Sequence, residues 1–214
     1  MFKKSLLVFF VLCWIALAID PVHRGIWMME NFLVVTLFPV FIWLDKKYTF
    51  ANWTFFGMIM YGILHLFGAH LTYEKMTYFI WFSEFLGLER NYYDQFIHFL
   101  FGLLVFIPFY EIFRHQGYSR KLSYLIAFLF ISSISSWYEI LEWLGMVLFC
   151  NEPDCLLLVT QGDEWDTQKD MAYAVIGAVI ALLIHTKWLK VNNEAMVTKL
   201  KTREIKESMT NENY

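Results

Sequence analysis

Six runs of apolar residues, separated by short polar connections, constrain this chain more than any other feature of it. A bilayer core about 30 Å thick is crossed by a helix of about 20 apolar residues. Hydrocarbon offers the backbone no partners, so each run must close its own hydrogen bonds, and helix is the default. The runs lie near 5–19, 26–44, 51–71, 93–113, 122–149 and 167–186. Composition agrees: 58% of the residues are hydrophobic and 17% charged, against roughly 45–50% and about 25% in an average soluble domain. The expected fold is an all-α, polytopic membrane bundle of six transmembrane helices over 1–186. A polar Lys/Glu-rich tail, 187–214, follows it into the cytoplasm and is partly helical at best.

The first run follows Lys3 and Lys4 and ends at Ala16-Leu17-Ala18, which resembles a signal-peptidase site. Cleavage there would leave five spans; retention as a signal anchor is the expectation, and the later threading is the same either way. Of the 17 Lys and Arg, 13 fall in segments placed inside when the N-terminus is inside. The outer segments hold only Arg24, Lys75, Arg90 and Lys169. Basic residues are retained in the cytoplasm, so both termini are expected there and the topology is N-in, C-in. The net charge of −3 gives no basis for nucleic-acid binding; the obligate partner is the lipid bilayer. Residues 76–88 are aromatic but too short to span, and suit either a helix in the outer interface or a loop packed on the bundle.

This threading brings the ionisable residues to one depth. Glu30 begins the second helix, His65 and His70 end the third, and Asp94 and His98 begin the fourth. Glu139 lies roughly 26 Å along the fifth helix at 1.5 Å per residue, with Glu142 a turn further. Asp163, Asp166 and Asp170 precede or open the sixth. Asp94 with His98, and Asp166 with Asp170, are spaced i, i+4 and share a helix face; Glu139 and Glu142 are spaced i, i+3. Carboxylates so crowded either stay partly protonated or surround a cation. Asp94, His98, Glu139, Glu142 and Asp170 are the expected ligands if the cation is a divalent metal ion. His98, Glu139 and Glu142 are the candidates for proton transfer. Asp94, Asp163, Asp166, Asp170, His65, His70 and Glu30 are the candidate binding groups. Each has a plainer reading: Asp166 and Asp170 as helix N-terminal charges, a lone His as a packed core residue, Asp163 as a loop residue. Glu139 and Glu142 resist it, because they stand within a span, between Trp137 and Trp143. Cys150 and Cys155 flank Asn-Glu-Pro-Asp in a loop placed outside, where a disulfide is favoured over free thiols, and metal binding ranks third.

Three stretches carry a resemblance: Asp94-Gln95-Phe96-Ile97-His98-Phe99, Glu139-Ile140-Leu141-Glu142-Trp143, and the run Gln161-Gly162-Asp163-Glu164-Trp165-Asp166-Thr167-Gln168-Lys169-Asp170-Met171. The chain resembles the YjdF-like family of bacterial inner-membrane proteins over nearly its whole length. That resemblance implies a location and no defined reaction. A remoter similarity is to VanZ-like membrane proteins, whose pattern Asp94, His98, Phe99, Glu139, Asp170 and Gly177 fit. Gln95 stands where that pattern has Lys, and Ala174 where it has Asn. It implies a role at the cell envelope. Three functions follow in order: a pocket open to the outer leaflet that binds or acts on an envelope lipid or small ligand; a proton- or cation-coupled transporter; and a non-catalytic scaffold whose polar cluster serves helix association. Whether the protein is an enzyme is left open by the sequence.

Overall fold

A computed structural model describes residues 1–88, 90–149 and 162–211 of the chain. Those residues form helices and connections, with no strand among them. The helices are α1 (Phe2–Leu17), α2 (Arg24–Tyr48), α3 (Asn52–Leu71), α4 (Thr77–Phe85), α5 (Tyr93–His115), α6 (Arg120–Phe149) and α7 (Asp166–Asn211). Five segments are long and apolar enough to cross a bilayer: α2, α3, α5, the Arg120–Leu148 part of α6, and the Asp166–Leu189 part of α7. At 16 residues α1 is shorter. The expected loop or interfacial segment after α3 holds the nine-residue helix α4. Its Tyr78, Trp81 and Phe85 are exposed and Ser83 is buried.

Helix ends follow the local chemistry. His23 Nδ1 accepts from the Ile26 N–H at 3.2 Å and caps α2. Thr49 and Thr72 close α2 and α3 in the left-handed conformation. The last helix runs beyond the apolar run: its backbone stays helical to Asn211 instead of fraying after 186. Residues 187–211 contain no Pro or Gly to stop it, and Lys, Glu, Met, Ala and Leu favour continuation.

The bundle consists of two groups of helices. In the first, α1, α2 and α3 surround Phe10, Phe41, Phe55, Ile59 and Leu66. In the second, α5, α6 and α7 surround Phe106, Ala127, Ile131 and Ala178. Contact between α3 and α5 joins the two, and α5 packs most extensively against α7. The first helix belongs to its group throughout. Phe10 stacks on Phe38 with ring centroids 4.0 Å apart. Trp14 Nε1 donates to Asn31 Oδ1 at 2.6 Å. Lys3 Nζ donates to both Asp45 Oδ1 and the Phe50 carbonyl at 2.6 Å. Outward faces carry Phe32, Val35, Leu125, Val147, Ile176 and Leu183. That is the inverse of a soluble protein, and carries no penalty where the solvent is lipid.

The α5–α7 contact sets the distance between the functional side chains. A Cβ on Gly102 would stand 1.9 Å from the Ala174 carbonyl oxygen, and one on Gly177 2.1 Å from that of Phe99. The two backbones therefore touch, which small residues permit and larger ones forbid. Asp94, His98 and Gly102 recur at i+4 on α5; Asp166, Asp170, Ala174 and Ala178 do so on α7. The ridges that lock the helices together are the ridges that carry the ionisable groups.

Candidate functional site

One ligand atom each from Asp94, His98 and Asp170 lies within 4.8 Å of the others. His98 and Asp170 are buried, and Asp94 is nearly so. His98 Nε2 is 3.6 Å from Asp94 Oδ1 and 3.3 Å from Glu139 Oε1 on α6. Side chains of three helices thus meet around the His98 imidazole. Asp170 is only 2% exposed and Glu139 3%. Asp170 Oδ1 and Glu139 Oε1 have no hydrogen-bond partner among the described residues. A buried carboxylate oxygen without a donor is costly, and a cation among these oxygens and the imidazole would satisfy them. The donor set, carboxylate oxygen with imidazole nitrogen, suits a divalent metal ion.

A second layer covers this cluster. Arg90 lies just before α5 and donates from Nη1 to Asp163 Oδ2 at 2.6 Å and from Nη2 to Asp166 Oδ1 at 2.8 Å. Gln95 Nε2 also donates to Asp166 Oδ1, at 3.0 Å, and Lys169 Nζ donates to Asp163 Oδ2 at 2.5 Å. Asp163 and Asp166 therefore face cations of their own and do not join Asp94, His98 and Asp170. The Lys169 hydrogen bond, then that from the Trp165 N–H, holds the Asp163 carboxyl below the ordinary carboxylate range. Burial would lower the Arg90 pKa, but its hydrogen bond to Asp166 and the charges of Asp166 and Asp163 outweigh that and raise it.

A third group neighbours this cluster. Tyr73 Oη is 2.7 Å from His65 Nδ1. His65 Nε2 lies 3.3 Å from the Glu30 carbonyl oxygen and 3.8 Å from Glu30 Oε2. Tyr138 Oη donates to Glu30 Oε2 at 2.9 Å, joining α6 to α2. The His98 and Tyr138 rings are 5.5 Å apart between centroids, so the two groups are neighbours through Tyr138.

The structure thus separates residues that the sequence placed at a common depth. Asp94, His98, Glu139 and Asp170 come together. Glu30 and His65 form a separate pair. Glu142, a turn beyond Glu139, lines a cavity against α2 and makes no ion pair with His98 among the described residues, but it stays within electrostatic reach of Asp94, Glu139 and Asp170. His70 Nδ1 donates to the Leu17 carbonyl at 3.0 Å and ties α3 to the end of α1, away from the cluster. Glu111 accepts from Thr54 Oγ1 at 2.6 Å and from the Ala51 N–H at 3.3 Å, and so anchors the start of α3. Cys150 and Cys155 lie outside the described residues. In the sequence Arg90 stands out only as one of the outer charges, and nothing marks Tyr73 or Tyr138. Arg90 precedes its helix and has no periodicity to betray it. The tyrosines are two among 12 in an aromatic-rich chain.

Comparison with known proteins agrees with this architecture. Residues 2–191 match the family described as predicted membrane protein (DUF2238). The inner membrane protein YjdF of Escherichia coli (strain K12) is 31% identical over 160 residues, which cover 73% of this chain and 76% of that protein. No solved structure matches the chain. With a family match over nearly its whole length and five apolar helices of spanning length, this chain belongs to the DUF2238 family and is a multispanning inner-membrane protein.

Proposed function

We propose that the protein holds a divalent cation at Asp94, His98 and Asp170, with Glu139 beside them, and uses it to bind the polar part of an envelope ligand. The observation that carries this reading is the meeting of three ligand atoms within 4.8 Å, together with the buried, unpartnered oxygens of Asp170 and Glu139. The His98 nitrogen, 3.3 Å from Glu139 Oε1, makes no hydrogen bond to it. Arg90 and Lys169 are instead spent on Asp163 and Asp166. Their positions keep the layer above the cluster neutralised without entering it. The Lys and Arg distribution puts this end of the bundle outside, so the ligand is one of the outer leaflet or the periplasmic face. Glu111 accepts hydrogen bonds at the start of α3, which favours a ligand site over a polar path through the bundle.

Elemental analysis of the purified protein tests the reading. Wild-type protein should retain about one divalent ion per chain after desalting, and Asp170→Asn should lose it while remaining monodisperse in detergent. Wild-type protein that neither retains nor takes up Mg²⁺, Mn²⁺ or Zn²⁺ would overturn the proposal.

A further inference from the structure

Two cavities open between α2 and α6, of about 490 and about 570 Å³. Leu33, Tyr138 and Leu141 line both, so together they make one lateral cleft with a waist. At the waist Tyr138 donates to Glu30. The first cavity is amphipathic along its length. One end carries Asp94 and His98, two of the three residues that meet at the proposed cation, with His65, Tyr73 and Tyr138 opposite. From there it runs between apolar walls to Phe41, Phe50 and Ile112. The rim is half-exposed: Leu37 is 53% exposed, Val40 47%, Trp137 64% and Leu141 47%. These residues lie within spans, so the mouth of the cleft faces lipid rather than water. Volumes of this order are those of small-molecule sites, roughly 300–1,000 Å³.

We propose that this cleft takes one chain of an anionic lipid sideways from the bilayer, with the lipid's oxyanion on the cation at Asp94, His98 and Asp170. The inference rests on the cation reading above and names the ligand class. Length argues for a long chain: from His98 to Ile112 the helix advances roughly 21 Å at 1.5 Å per residue, the extent of about sixteen extended methylenes. Volume argues for a single one, because about 490 Å³ lies in the range of sites for one small molecule, roughly 300–1,000 Å³. Coordination argues for an oxyanion. A divalent cation held by one or two carboxylates commonly completes its shell with a substrate oxyanion, phosphate above all, and Asp94 and Asp170 are the two carboxylates among the three ligands here. The second cavity runs from the waist past Glu142 and Gly145 to His23, which leaves room for the rest of the headgroup at the surface end. A phosphate and a fatty-acid carboxylate share the required chemistry, so the test separates them.

Purified full-length protein is titrated with lysophosphatidate of about sixteen carbons, the same lipid with about eight, palmitate, and inorganic phosphate, each with and without Mg²⁺. Mg²⁺ binding alone is measured in parallel by calorimetry. The expected result is Mg²⁺-dependent binding of the long-chain lipid, roughly tenfold or more weaker for the short chain because methylenes stay in water. Leu37→Trp and Val40→Trp place a large ring at a half-exposed rim, where the fold can accommodate it. Both should weaken long-chain binding by roughly tenfold or more and leave Mg²⁺ affinity unchanged. Palmitate matching the lysolipid supports the proposal and makes the head a carboxylate; palmitate failing supports it with a phosphate head. Inorganic phosphate binding as tightly as the lipids, or lipid binding indifferent to chain length or to both rim variants, overturns the chain-binding proposal and leaves the cation reading standing. Lipid binding that persists without Mg²⁺ overturns the placement of the head. Absence of Mg²⁺, Mn²⁺ and Zn²⁺ binding overturns the cation reading itself.

Discussion

At His98 a single nitrogen faces two carboxylates, Asp94 at 3.6 Å and Glu139 at 3.3 Å, with Asp170 completing the group. None of these distances is short enough for a tight ion pair, and all leave space for a small cation between the groups. Glu139→Gln keeps the shape and removes one charge. It should leave the protein inserted and folded, because a neutral side chain there relieves repulsion. It should weaken metal binding about 10–100-fold, the range seen when even a ligand's supporting partner is lost; competition dialysis against a chelator measures this. Asp163 behaves differently. Its carboxyl is held below the ordinary range by Lys169, so the stability it contributes is present above the unfolded value, about 3.9. That contribution is lost as pH falls through the lowered folded value. Thermal melts of wild type and Asp163→Asn should differ at neutral pH and converge as the pH falls through the lowered folded value. A difference independent of pH would show that Asp163 acts by something other than its charge.

At the scale of helices, α5 and α7 are held backbone to backbone by Gly102 and Gly177, one to two turns from His98 and Asp170. Any side chain at Gly177 must push the helices apart, and overpacking of this kind costs about 1–3 kcal/mol or more. Gly177→Val should therefore lower the melting temperature and release the metal together. Ile176 is the neighbouring residue, 47% exposed on the lipid-facing side; Ile176→Val should change neither. Metal retained in Gly177→Val at wild-type affinity would mean that the cluster does not depend on this approach. One helix gives Glu139 and Glu142 different neighbours: Glu139 approaches His98 of α5, and Glu142 also lines the gap beside α2.

For the molecule as a whole, the α1–α2–α3 and α5–α6–α7 groups meet along α3 and α5 and open between α2 and α6. The direction in which the chain is threaded decides which side of the membrane the cluster serves. The excess of Lys and Arg at the other end predicts an outward-facing cluster. A reporter active only in the cytoplasm should be on when fused after Lys190 and off when fused near Asp154. The reverse pattern would turn the cluster inward and remove the outer-leaflet ligand from consideration.

Helical class and the common depth of Glu30, His65, Asp94, His98, Glu139 and Asp170 were legible in the sequence. Both are one-dimensional properties. Hydrocarbon forces apolar runs into helices, and a constant rise turns residue number into depth. Rotation about each helix axis is not one-dimensional, and the tertiary structure decided it. It set Asp94, His98, Glu139 and Asp170 against one another and turned Glu142 into a cavity wall. It also sent His70 to the Leu17 carbonyl and drew Arg90, from outside any apolar run, onto Asp163 and Asp166. The lateral cleft belongs to the same category. It exists because close α5–α7 packing and the α3–α5 contact leave the α2 and α6 backbones apart, bridged by Tyr138 at Glu30, and no local pattern in either helix encodes the space between them.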